Sequence, residues 1–224
     1  MHAITRLAAA AALLAAGSCL ATEPTLPQLG LQTSSSLLVL HGERLGNLNQ
    51  DDFHRQRNAL QRHWRQQRQS SPEENQGMQQ LLSMMELANR QLRHQQYIEL
   101  ETSEQISQQL YQLLALWQAD AVSEPIVQAR LALLELNHRY LYRSYVGMPN
   151  PDHPPQPSYF TAPTDQLLAQ IDQVVTSGDY TSATHARWQL LRRMFTTLND
   201  SWAQKAMAPV VVNANTQTLL QDLQ

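Results

Sequence analysis

The chain has 224 residues, a formal net charge of −3 and only 16% Asp, Glu, Lys and Arg. That length suits one domain or two small ones at the usual span of about 100–200 residues each, and the low, balanced charge excludes a nucleic-acid-binding surface, which is basic and patchy. Glycine is scarce, at 7, and β-branched residues are sparse before Val210, so composition favours an all-α fold, with glutamine at roughly one residue in eight supplying uncharged helical positions that read as solvated faces.

Residues 1–21 read as a signal peptide. Arg6 gives the positive start, Leu7 to Ala16 the short apolar core, and small residues follow. Such a run cannot span a hydrocarbon core, which takes about 20 residues as a helix. The lone cysteine, Cys19, falls at the processing site and leaves two readings open. Ala16-Gly17-Ser18-Cys19 resembles a bacterial lipobox, with Ala16 in place of the usual leucine, and makes Cys19 a candidate lipidation site. Cys19-Leu20-Ala21 is also a small-x-small peptidase site, with cleavage after Ala21. Either reading exports the chain to the periplasm or beyond, and lipidation anchors it at the outer membrane. Neither leaves a disulfide, so stability has to come from the core.

Thr22 to Ser36, with Pro24 and Pro27, reads as an extended leader, and the folded domain is expected over 37–224. Leu37-Leu38-Val39-Leu40, with Ser34 to Ser36 as caps before it, predicts a short helix. A second helix is predicted over Asn49 to Gln69, with Asn49 or Asp51 capping it. Phe53, Leu60 and Trp64 form one narrow apolar line on it, while Arg55, Arg62 and Arg65 project from other faces. Arg55, Arg62, Trp64 and Arg65 are therefore a candidate partner surface, although arginines on a solvated face also meet acidic neighbours.

Ser70-Ser71-Pro72-Glu73-Glu74 combines serine caps, an early proline and acidic residues, a helix start. The stripe Met78, Leu81, Leu82, Met85, Ala88 and Leu92 carries that helix to about Gln96. Glu99 to Ser103 turns the chain, and Thr102 or Ser103 caps a helix through Ala119, with Ile106, Leu110, Leu113, Leu114 and Trp117 inward. Pro125 to Tyr145 is the most apolar long stretch after the N-terminus. Val127, Leu131, Leu134, His138, Leu141 and Tyr145 make one stripe, and Leu133, Leu136 and Tyr140 another beside it. Together they exceed the ~100° face of a surface helix, which predicts a central helix buried on more than one side.

Six prolines between Pro149 and Pro163 make Val146–Pro163 a connector, either a subdomain boundary or an ordered loop over the end of the bundle. Pro163 to Ser177 then reads as a helix stopped by Gly178. Asp179 starts another, with Trp188, Leu191, Phe195, Leu198 and Trp202 on one stripe. The corner Gly178-Asp179-Tyr180 with Ala183 resembles the turn of a tetratricopeptide repeat over this one hairpin. Arg187 stands where such a repeat carries a large apolar residue, and no second copy follows at its ~34-residue period. A last helix is predicted from about Val210. The fold expected is an antiparallel helical bundle of about six to eight helices.

None of the eight histidines pairs at helical spacing, so no metal is expected. Glycine-rich phosphate loops, nucleophile elbows and haem attachment motifs are lacking, and neither cofactor nor catalytic residues are expected. The best polar constellation ends the 125–145 helix. His138, Arg139, Tyr142 and Arg143, with His153 and Tyr159 from the connector, are candidate ligand-binding residues. Arginine forks take carboxylate or phosphate and tyrosines give flat walls, which suits a small anionic or aromatic ligand. Arginines there also complement the helix dipole, and His138 also reads as a core histidine. Asn199-Asp200 beside Trp202 is a second polar spot. The function expected is that of an exported, non-catalytic helical protein of the bacterial envelope acting through protein partners. A periplasmic ligand-binding or sensory bundle is the alternative.

Overall fold

The computed structural model describes residues 23–43, 46–67, 70–119, 124–147, 163–198 and 208–223. Their regular structure is helical throughout, without a strand. In chain order the helices are α1 (Leu26–Glu43), α2 (Gly46–Gln66), α3 (Pro72–Gln95), α4 (Leu100–Ala119), α5 (Pro125–Tyr145), α6 (Thr164–Ser177), α7 (Ser182–Thr196) and α8 (Pro209–Asp222). The protein is an all-α bundle of eight described helices.

Two helices share the centre. α5 packs against α1, α6, α8 and α7, and every residue from Ala132 to Tyr142 is buried, which is the two-sided burial its double stripe predicts. Pro125 occupies its first turn, where a missing N–H costs nothing. The second central helix is α1, which packs on α2 and α5 and reaches α3, α4 and α8.

This corrects the extended leader expected over 22–36, because the chain is helical from Leu26. Pro27 falls in the first turn, where it is compatible with a helix. Leu26, Leu29, Leu31 and Leu37 enter the core, each side chain contributing roughly 1.5–3 kcal/mol by leaving water. The hydroxyls of Thr33 and Ser36 turn back on their own helix instead of capping a later one. Thr33 Oγ1 donates to the carbonyl of Leu29 at 2.7 Å and Ser36 Oγ to that of Thr33 at 2.8 Å. Gly30 lets α1 approach α4 closely: a Cβ there would lie 3.0 Å from Leu110 Cδ1 and 3.3 Å from the Trp117 ring.

α3 starts as its sequence demands. Ser71 Oγ accepts from the Glu74 N–H at 3.1 Å, and Glu74 Oε2 accepts from the Ser71 N–H at 2.7 Å, a closed capping box. α4 begins at Leu100, so Thr102 and Ser103 do not cap it. Both are buried inside the first turn, and Thr102 Oγ1 accepts from Gln91 Nε2 of α3 at 3.2 Å. α7 is capped by Thr181, whose Oγ1 accepts from the Thr184 N–H at 3.2 Å, two residues later than the expected start at Asp179.

The α6–α7 hairpin is tied by Asp172, which accepts from Trp188 Nε1 at 2.8 Å and from Arg192 Nε at 3.0 Å. Asp222 of α8 accepts from Thr184 Oγ1 at 3.1 Å and pairs with Arg187. The residue that departs from the repeat pattern thus anchors the last helix. Cys19, residues 148–162 of the proline-rich connector, Asn199, Asp200 and Trp202 lie outside the described residues.

Candidate functional site

The polar end of α5 turns inward. His138 and Arg139 are each 1% exposed and Tyr142 4%, so these candidate ligand residues are core residues. His138 Nε2 lies 2.7 Å from Ser34 Oγ of α1. Arg139 pairs with Glu135 one turn back along α5, with side chains 2% and 10% exposed. The Tyr142 ring centroid lies 6.5 Å from that of His138. Arg143 is half-buried and donates through Nη1 to the Thr197 carbonyl at 3.0 Å, holding the end of α7. Beside them, Asn137 Nδ2 donates to Asn213 Oδ1 of α8 at 2.8 Å. His153 and Tyr159 lie outside the described residues.

Electrostatics match that placement. Burial, and then the neighbouring Arg139 charge, press His138 down to about 3, so the imidazole is uncharged at neutral pH. Burial, and then the Glu104 charge, raise Tyr142 above the ordinary tyrosine range. Burial raises Tyr145 likewise, helped by its hydrogen bond to Glu43 at the end of α1. The uncharged His138 imidazole on Ser34 and the Tyr145 phenol on Glu43 fasten α5 to α1. Arg143 on the Thr197 carbonyl ties it to the end of α7, while the Glu135–Arg139 pair closes within α5.

The α2 face divides. Phe53 and Leu60 are fully buried, while Arg55, Arg62 and Arg65 are exposed. Trp64 is half-buried and donates through Nε1 to Asn75 Oδ1 of α3 at 3.1 Å, so it anchors α2 while leaving one edge in solvent. Arg55 pairs with Asp52 on its own helix.

A more extended concavity runs along α3 and α4. Gly77 faces Gln109 and Leu113 while Gln91 meets Thr102, so the two helices are antiparallel. On the core side Met78, Leu81, Leu110 and Leu113 close the seam. On the solvent side two overlapping depressions, about 530 and 560 Å³, share Gln76, Gln80, Gln108, Gln109 and Gln112 and form one open groove. Gln79 and Gln105 extend it toward Ser83 and Met84, and Ala115 and Leu116 flank its other end. Among the described residues that line it, Glu73 alone is charged.

Sequence reading takes these glutamines as a solvated face and misses the groove. A signal exists in their spacing, 76-79-80 on one helix and 105-108-109-112 on the next, the three- and four-residue steps of one helical face. Among the described residues no three or more His, Cys, Asp or Glu gather to hold a metal ion, and no helix is long and apolar enough to cross a membrane. No protein-family model, curated protein or solved structure matches the chain.

Proposed function

We propose that the protein is an exported, non-catalytic helical protein of the bacterial cell envelope that binds a protein partner in an accessory or assembly role. The observation that carries this reading is the open α3–α4 groove, whose walls present neutral amides along several turns and gather no reacting group. Elongated walls that carry a single charge, Glu73 at one end, suit a chain laid along them better than a compact metabolite, which calls for an enclosing pocket. The exposed Arg55, Arg62 and Arg65 on α2 offer a second, basic contact for an acidic partner surface. Export rests on the sequence of residues 1–21, with either cleavage after Ala21 or lipidation of Cys19.

The test is photocrosslinking in the native host, with a photoreactive residue at Gln108 in the groove or at Arg62 on α2. One reproducible envelope protein, captured from either position, is the expected result. Mass spectrometry of the same sample reads the mature N-terminus and any lipid on Cys19. The absence of a protein adduct from both positions would overturn the partner reading, and an unprocessed N-terminus would overturn export.

A further inference from the structure

The groove's lining says what kind of partner segment it holds. We infer that the α3–α4 groove binds an extended, uncharged polypeptide segment through that segment's main-chain amides, an inference that rests on the reading of the protein as a partner-binding one. Each glutamine ends in one carbonyl and one NH₂ group, the same acceptor and donor that a peptide group presents. Gln76 and Gln80 line the α3 wall, and Gln105, Gln108 and Gln112 the α4 wall, so an inserted backbone meets complementary groups on both sides.

Length and pitch agree with that occupant. From Glu73 to Met84 the α3 wall rises roughly 17 Å at 1.5 Å per residue, which about five extended residues cover. Successive turns of each wall present amides every ~5.4 Å, whereas an extended chain repeats its outward-facing groups every ~6.6 Å. Glutamine side chains, with three rotatable bonds, absorb that mismatch.

Charge and shape exclude the main competitors. A charged segment would lose water against walls whose one charge, Glu73, sits at one end, an unfavourable exchange along the rest of the groove. An amphipathic helix lays its apolar face into an apolar groove, whereas this one is lined mainly by glutamines, from Gln76 to Gln80 on α3 and Gln105 to Gln112 on α4. An oligosaccharide would also use the amides, but its rings favour repeated aromatic platforms, and Tyr111 is the one aromatic among the described lining residues.

The test pans the purified full-length protein against a random phage-displayed peptide library, with chitin oligosaccharides as the competing probe. The expected result is an uncharged consensus whose synthetic peptide loses binding when alternate backbone amides are N-methylated. The double variant Gln80→Ala/Gln108→Ala should weaken that peptide about tenfold, with an unchanged melting temperature, since alanine is a better helix former than glutamine. A charged or helical consensus, no enrichment, indifference to N-methylation, or chitin oligosaccharide binding that requires Gln80 and Gln108 would each overturn the inference. Should it fall while crosslinking from Arg62 still captures one envelope protein, the proposed function stands with a different docking face. Failure at both positions removes both.

Discussion

Ser34 Oγ lies 2.7 Å from Nε2 of His138, joining the two central helices across 104 residues of sequence. The imidazole in this contact is uncharged near neutral pH, because burial and then the Arg139 charge oppose its protonation. His138 stands at about 3 in the folded protein and near 6.5 in the unfolded chain. Between those values the unfolded state binds the extra proton, so stability falls as pH drops from about 6.5 toward 3, at up to about 1.4 kcal/mol per pH unit from this residue. Above 6.5 its contribution is fully present. His138→Gln keeps a partner for Ser34 and removes the titration. Melting temperatures followed by circular dichroism should therefore fall less steeply with acid in the variant, and parallel curves would refute the assignment.

Glu135 and Arg139 carry opposite charges into the core from one helical turn of α5. Removing either partner takes a charge-assisted contact from the other in a medium that solvates it poorly. Glu135→Ala should cost roughly 3–5 kcal/mol, read as a lower urea midpoint at unchanged slope. The double variant Glu135→Leu/Arg139→Met removes both charges while keeping volume, and should recover wild-type stability or exceed it. Recovery would assign the pair a positioning role in place of a net stabilising one.

What was legible in the sequence divides along local and distant causes. The start of α3 is written in Ser71 and Glu74, three residues apart, and the bounds of α5 in Pro125 and its stripes. The N-terminal part of α1, before Leu37, is not legible because Ser34, Ser35 and Ser36 have the chemistry of caps, and their burial arises from contact with a helix far along the chain. His138 was readable as a core histidine from its place on the apolar stripe, but the pairing of Arg139 with Glu135 makes a polar cluster internal where sequence suggests a binding end. The groove needed a pairing that no single helix contains. Two glutamine faces become opposite walls only because α3 and α4 meet antiparallel at Gly77.

Gln96 ends α3 in the left-handed region, at φ 65°, with its N–H donating to the Leu92 carbonyl at 3.1 Å. A side chain in that region costs roughly 1–2 kcal/mol where glycine bears almost none. Gln96 is exposed and closes a helix end where glycine is the common choice. Gln96→Gly should therefore stabilise the protein by about 1 kcal/mol, net of the glycine's greater freedom when unfolded. At this chain length that raises the melting temperature by about 2–4 °C. A fall would mean that the Gln96 side chain makes a contact worth more than the backbone strain.

Gly77 controls how closely the groove's two walls approach. A Cβ at this position would lie 2.9 Å from Leu113 Cδ2 and 3.0 Å from Gln109 Nε2. Gln109 can swing its amide away, but Leu113 is fully buried and has little room to yield. Alanine gains about 1 kcal/mol of helix propensity, against a clash that a shift of a few tenths of an ångström relieves, so Gly77→Ala should be close to neutral. Valine adds two methyl groups and a stiff χ1, and the seam must open. Gly77→Val should lose about 1–3 kcal/mol and move the α4 wall away from α3. The sharper reading is amide hydrogen exchange, which should quicken around Leu110 and Leu113 in the valine variant and leave α6 to α8 unchanged. Uniform quickening across all helices would show that the α3–α4 seam does not yield independently of the rest of the bundle.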